Sequence, residues 1–375
     1  MIVFEALPAK HGDCLILRFT GEGAERVWLI DGGPPGVYLE SLKPRLDALR
    51  GAADRLRVDL AMVSHIDDDH IAGMVQLTRK LREIKEDNGV PFLDIRRFWF
   101  NSFSALVGTL PEPAQKLATP AASDDAALSA ELPGIRHETA AVLSSVGQGE
   151  KLTAEIITLG LPLNERRGKP LAAPDTMMVN GAKVTILGPL QSRLDDLQHE
   201  WAKQAKTAAK PADLAGLFRE DLDTSVPNLS SLVALVEIDG KRILLTGDAR
   251  GDDIVKGWRA ASGALDKPVP IDVLKLPHHG SDRDLTEDFV RLFPARHYVI
   301  SADGKFGNPD PPALRALVET LGDRQYTIHV TGPMLQFDPD PKNPKPTQRV
   351  EQQLNSLKSG RNFDFVVGKP VAIAL

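Results

Sequence analysis

Cysteine is almost missing. Cys14 is the only one in 375 residues, which excludes an internal disulfide and any cysteine-cluster zinc site. A reducing, cytoplasmic setting is the simplest expectation. Long apolar runs are missing too: none approaches the roughly 18 residues that cross a bilayer, so no membrane association is expected. The start, Met-Ile-Val-Phe-Glu-Ala-Leu, lacks the basic stretch ahead of an apolar core that marks a signal peptide. Neither Gly-x-Ser-x-Gly nor the P-loop pattern occurs, so serine-hydrolase and P-loop NTPase readings are without their motifs. Positive charge is not in excess. Lys plus Arg is 45 against 51 for Asp plus Glu, a formal charge of −6. That balance argues against a histone-like or polybasic membrane-surface protein, while leaving room for a local basic groove. No internal repeat is visible. What is present, 42% hydrophobic and 26% charged residues, is the composition of a globular chain, long enough for one large domain or two ordinary ones.

Short β-prone runs open the chain: Ile2 to Phe4, Cys14 to Phe19 and Val27 to Ile30, broken by Gly12-Asp13 and Gly21-Glu22-Gly23. Strand and helix then alternate. Leu56 to Val63 reads as a strand, and Ile71, Met74, Val75, Leu81 and Ile84 follow at helical spacing to about Lys85. Further strands are expected at Val184 to Leu187, Leu232 to Ile238, Ile243 to Thr246, Val273 to Leu276, Tyr298 to Ser301 and Thr327 to Val330. Such a mixture predicts stacked sheets with helices outside, an α/β layered fold in a single domain spanning 1–375. Residues 103–178 have little periodicity and much Ala, Pro, Ser and Gly, whereas 190–220 look helical. Both read as insertions. The segment 341–361 is basic, with Lys342, Lys345, Arg349, Lys358 and Arg361 against Glu351, and reads as a solvated loop and helix.

The chemistry concentrates at strand ends. Ser64-His65-Ile66-Asp67-Asp68-Asp69-His70 puts four potential ligands, His65, Asp67, Asp69 and His70, where a strand gives way to a helix. Alone, this string has a plainer explanation, with Asp69 capping the helix from Ile71. A second cluster, Lys275-Leu276-Pro277-His278-His279-Gly280-Ser281, also follows a strand, and adjacent histidines there are hard to explain as packing. Leu244-Leu245-Thr246-Gly247-Asp248 and Leu29-Ile30-Asp31-Gly32-Gly33 end two more strands in an acid. Four of the nine histidines lie in the two clusters; His11, His137, His199, His297 and His329 have no such company and read as surface or core residues.

In this order, these motifs resemble those of the metallo-β-lactamase fold superfamily. The nearer similarity is to the hydrolase domain of ComEC-type competence DNA-uptake proteins, which have Asp where most of the superfamily has the second His. Lys10-His11-Gly12-Asp13-Cys14, Asn228-Leu229-Ser230-Ser231-Leu232-Val233 and Ser301-Ala302-Asp303-Gly304-Lys305-Phe306-Gly307-Asn308-Pro309 support the resemblance, which covers roughly residues 1–335 without the insertions. It implies an αββα sandwich whose insertions cap the metal edge. It also implies two divalent ions: His65 and Asp67 on one, Asp69, His70 and His279 on the other, and Asp248 between. His278 is then free to contact substrate or move a proton. Asp31 would orient a ligand histidine from behind. Asn228 stands where other branches carry a further histidine. Asn308 replaces the histidine of a usual Gly-His-Pro, and so can hydrogen-bond but cannot transfer a proton.

Two cations about 3.5–4 Å apart lower the pKa of a shared water towards about 7 and stabilise both oxygens of a displacement at phosphorus. Three carboxylates against three histidines favour Mn2+ while admitting Zn2+. The expected activity is therefore that of a metal-dependent phosphodiesterase or nuclease acting on DNA. Asp69, Asp248, His278 and Asp31 are the catalytic candidates, and Asn228, Ser281, Lys305 and Asn308 the substrate contacts. Lys305, Arg283, Arg79 and Lys275 could form a basic channel. The rivals are hydrolysis of a small ester, thioester or lactam, and a degenerate domain kept for a protein partner in a defence or toxin assembly.

Overall fold

The computed structural model describes residues 1–107, 137–166, 169–205, 230–263, 267–332 and 350–375. Strand alternation shows how its layers form. In β1 (Ile2–Ala6), β2 (Leu15–Gly21) and β3 (Ala24–Ile30), Phe4, Leu15, Leu17, Phe19, Trp28 and Ile30 face one core, while Ile16, Val27 and Leu29 face another. Successive side chains of a strand point to opposite faces, so a sheet buried on both sides needs apolar residues at both parities.

After α1 (Lys43–Arg50), the stretch expected as one strand at Leu56 to Val63 is two, β4 (Leu56–Val58) and β5 (Leu60–Met62), in different sheets. The break falls at Asp59, a fully buried residue whose carboxylate accepts hydrogen bonds from Arg26, Arg57 and the Val27 amide. An acid satisfied in this way redirects the chain. Next come α2 (Asp68–Glu86), β6 (Leu93–Ile95), β7 (Phe98–Trp99), α3 (Phe103–Val107) and α4 (His137–Leu159). The helix α4 corrects the reading of 103–178 as unpatterned. Its face towards α2 is partly polar, burying Ser144, Ser145, Gln148 and Glu155, and this hides the helical period. Arg82 pairs with Glu155 at 2.7 Å, and Gln148 donates to Asp68.

Two strands, β8 (Asp175–Val179) and β9 (Ala182–Gly188), open the second sheet, so β8 belongs to the core and not to the insertion. The helix α5 (Gln191–Ala205) fills the first part of the 190–220 stretch; 206–220 lie outside the described residues. The remaining elements are β10 (Val233–Ile238), β11 (Lys241–Leu245), α6 (Gly251–Ser262), β12 (Ile271–Lys275), α7 (Glu287–Leu292), β13 (Ala295–Ile300), α8 (Pro311–Leu321), β14 (Tyr326–Val330), α9 (Val350–Lys358), β15 (Phe363–Val367) and β16 (Val371–Ala374). The basic segment therefore includes α9, with 341–349 outside the described residues.

One sheet runs β16-β1-β2-β3-β5-β7 and the other β15-β14-β13-β12-β11-β10-β9-β8. Between them lie Leu17, Trp28, Met62, Val184, Ala234, Leu245, Val273 and Val299. Outside the first, Ile71, Met74, Leu77 and Leu81 of α2 pack on Ile16, Leu29 and Val63. Outside the second, Ile254, Phe289, Leu314, Leu317 and Leu354 pack on Leu244, Leu274 and Tyr298. This is an α/β fold of the αββα sandwich type. Strands β3, β5 and β7 are mutually parallel, as are β11 to β15. The carboxyl ends of β3, β5, β11, β12 and β13 thus release their loops at the edge where the site lies.

Candidate metal centre

The loop after β5 carries the first histidines. Asp67 occupies the cap position of α2, yet its side chain makes no capping bond, and Asp69 lies within the first turn. The capping explanation of this string therefore fails. Asp31, just after β3, has a positive φ of 57° and accepts from the Ser64 amide and hydroxyl, both at 2.7 Å. His70 Nδ1–H donates to the same carboxylate at 2.9 Å, and His65 Nδ1–H donates to Ser64 Oγ at 3.0 Å. From the second sheet, His279 Nδ1–H donates to the Ser301 carbonyl at 2.6 Å. Each ring has its Nδ1 held by a fixed partner, which sets its orientation and makes Nε2 the atom it offers to a metal.

Those Nε2 atoms converge on carboxylates. His70 Nε2 is 3.3 Å from Asp248 Oδ1, and His279 Nε2 is 3.5 Å from Asp248 Oδ2 and 3.3 Å from Asp69 Oδ2. His65 Nε2 lies 3.5 Å from Asp67 and 3.8 Å from Asp248. Asp69, His70, Asp248 and His279 alone offer four ligand atoms within 4.8 Å of one another. His70 and His279 bring their Nε2 atoms to 3.3 Å, an approach that a shared cation satisfies. His65 Nε2 and Asp248 Oδ1 are buried without a hydrogen-bond partner, a costly state for polar atoms unless a ligand completes them. The donor set fits a divalent metal.

The electrostatics agree. Burial disfavours charge on Asp248 and Asp69, but the neighbouring histidines outweigh it and hold both below the ordinary carboxylate range. Burial also opposes charge on His279, yet Asp248 and Asp69 push its pKa up to about 10, and His70 is raised by the same two carboxylates. These carboxylates are strong attractors for a cation.

Around this cluster, the other expected residues separate. His278 has its Nδ1 2.6 Å from Asp284 and its Nε2 3.8 Å from Asp248; burial works against its charge, but the two acids raise its pKa. Lys305 and Asn308 line a cavity of about 100 Å3 with His11, Asp69, His278, His279 and Phe306. Asn308 Nδ2 also donates to the His278 carbonyl at 3.3 Å. Ser281 is buried, accepts from the Arg283 amide and does not line this cavity. Asn228 lies outside the described residues. Lys275 belongs to no channel: it is buried and pairs with Asp13 at 2.7 Å. Arg79 pairs with Glu83 along α2, and Arg283 is exposed.

Sequence reasoning missed four residues. Asp13 sits 3.8 Å from His70 Nδ1 and 3.7 Å from His279 Nδ1, behind the donors. His11 lines the cavity, Phe306 stands on its rim, and Asp284 holds His278. The string from Lys10 to Cys14 was the signal for the first two. Gly12 explains its reach, because a Cβ there would lie 1.8 Å from the Asp69 carbonyl oxygen. His297 and His329, expected to be without company, pair with each other at 3.1 Å on β13 and β14.

No protein-family model matches the chain, and no curated protein is significantly similar to it. Among solved structures, it is similar to the metallo-β-lactamase fold protein YhfI from Bacillus subtilis, at 10% identity over 100% of this chain and 99% of that one, with a TM-score of 0.43. A metallo-β-lactamase superfamily protein from Thermotoga maritima is similar at 10% identity over 98% and 100%, with a TM-score of 0.33. A variant of the CmlA β-hydroxylase is similar at 12% identity and a TM-score of 0.38; this chain covers 54% of its length. The chemistry of the site is accordingly read from its own donors. Among the described residues, no helix is long and apolar enough to cross a membrane.

Proposed function

We propose that the protein is a metal-dependent hydrolase of the metallo-β-lactamase type that cleaves phosphodiesters, with DNA as the expected substrate. The observation that carries this reading is the cluster of Asp69, His70, Asp248 and His279 from both sheets, with His65 3.8 Å from Asp248, Asp67 beside His65, and the buried donor atoms His65 Nε2 and Asp248 Oδ1 left unpartnered. Asp69, His70 and His279 would hold one ion and His65 and Asp67 the other, with Asp248 placed near both sets. Bound there, two divalent ions supply charge neutralisation at a phosphate and a water of lowered pKa.

The chain's own groups do the rest. Asp31, Ser64 and the Ser301 carbonyl hold the three imidazoles in the orientation that presents Nε2. Asp284 orients His278 in the same manner, so that His278 Nε2, at the wall of the cavity, can hold a proton for a departing alkoxide. This assigns to His278 the acid step that Asn308 cannot perform. Asn308 instead steadies the His278 loop, and Lys305 offers a cation at the rim.

The test is a panel of plasmid DNA, single-stranded DNA, RNA, a cyclic nucleotide, a chromogenic phosphodiester and a β-lactam, with Mn2+ or Zn2+ supplied. The expected result is cleavage of DNA, stimulated more by Mn2+, and abolished by Asp69→Ala. Hydrolysis of an ester or lactam with every phosphodiester left intact would overturn the substrate assignment.

A further inference from the structure

Phe306 is 69% exposed, although it lines a cavity whose other large side chains, His11, Asp69, His278, His279, Lys305 and Asn308, are polar. A large aromatic side chain in water forgoes the burial that normally stabilises it. The exposed apolar residues elsewhere, such as Leu39, Val90, Ile157 and Met178, line no part of this cavity.

The ring is also held in place. His11 meets it edge to face, with centroids 5.0 Å apart and planes at 87°, and Lys305 Nζ lies 4.8 Å from its centroid. The loop that presents it is fixed by Asp303, which accepts from the Lys305 amide at 2.9 Å, and by the Gly307 amide donating to the Gly304 carbonyl at 2.9 Å. Gly304 and Gly307 have φ of 84° and 91°, a conformation that side-chain-bearing residues rarely adopt. Lys305 has no carboxylate within ion-pair distance among the described residues, so its ammonium is available to an anion. A fixed aromatic ring, an unpaired cation and two of the proposed metal ligands, Asp69 and His279, therefore share one opening.

Together, these are the parts that recognise a nucleotide: a π-face for the base and positive charge for the phosphates. We propose that Phe306, with Lys305 beside it, forms a subsite on which a nucleobase adjoining the scissile phosphate stacks. The inference rests on the phosphodiesterase reading and adds what part of the substrate is gripped: a base beside the phosphate, which favours nucleotidyl esters over phosphate esters without a base. A flat ring face takes any base, so the subsite selects nucleic acid without selecting sequence.

Binding separates this proposal from the catalytic one. Calorimetric titration of the Mn2+-supplemented protein with thymidine 5′-monophosphate and with methyl phosphate compares the same anion with and without a base. The wild type is expected to bind the nucleotide about tenfold tighter, the low end of what one base–aromatic stack contributes. Phe306→Ala should erase that preference while binding methyl phosphate as the wild type does, and Phe306→Trp should keep it. Lys305→Ala should weaken both ligands together. Equal affinities in the wild type, or a preference that survives Phe306→Ala, would overturn the subsite. These readouts need no turnover, so a protein inert towards every phosphodiester but still preferring the nucleotide would sink the catalytic reading and leave the subsite standing.

Discussion

Two groups of histidines lie in this sandwich, and only one is built to bind a cation. His65, His70 and His279 each give their Nδ1 proton to a fixed acceptor and turn Nε2 towards carboxylates. His297 and His329 instead pair with each other, at 3.1 Å across β13 and β14. The electrostatics diverge accordingly: acids raise the pKa of His70 and His279, whereas burial, together with His297, pushes that of His329 down to about 4. Proximity of imidazoles is thus no sign of a metal site. What distinguishes one is acids in front of the rings and acceptors behind them.

The sharpest way to break the comparison is at Asp248, which faces all three edge histidines. Asp248→Ala should remove bound metal and lower hydrolysis by roughly 10^3-fold, the upper range for loss of one electrostatic group at a reacting centre. Metal analysis after equal dialysis checks it, and a variant that keeps its metal would refute the bridging assignment. Asp31→Ala acts from behind the rings. It should weaken metal affinity by about 10–100-fold, read by chelator competition, with every direct ligand intact.

A smaller effect is expected at Asp284→Asn. His278 loses the carboxylate charge that holds its Nδ1 proton and raises its pKa, so turnover should fall about tenfold, part of the roughly 10^2-fold that a full acid–base group contributes. Metal content should not change, and a loss of metal would mean that His278 is itself a ligand. The smallest effect on the site is expected from His329→Gln, which should leave metal content and turnover as they are. Its consequence lies in acid stability. His329 stays neutral in the folded protein down to about pH 4, while the unfolded chain takes up a proton near 6.5. Its contribution is complete above pH 6.5 and is lost as pH falls towards 4. Denaturant titrations over that window should show a shallower fall in stability for His329→Gln.

The same contrast explains what could be read in advance. The six proposed donors announce themselves because acids and histidines crowd short strings at strand ends, where a packing role is implausible. Asp13 and His11 lie in a string with a single acid and a single histidine, and Asp13 acquires its place from a fold that brings it against residues 70 and 279. The layered architecture was legible from apolar strands, but α4 was not, since its buried face mixes Ser144, Ser145, Gln148 and Glu155 with Val146, Leu152 and Ile156. The break at Asp59 needed knowledge of Arg26 and Arg57, its ion-pair partners.

The placement of the donors has a thermodynamic consequence. His70 and His279 are 209 residues apart in sequence and come from loops of different sheets, so an ion gripping both staples the two halves of the sandwich. The unfolded chain cannot offer that pair at one point, and ligand that binds only the native state adds its binding energy to folding. At an ion concentration 100 times the dissociation constant, the gain is about 2.7 kcal/mol, visible as a melting temperature that climbs with added metal and drops with chelator. The active edge would then serve as the clasp of the molecule.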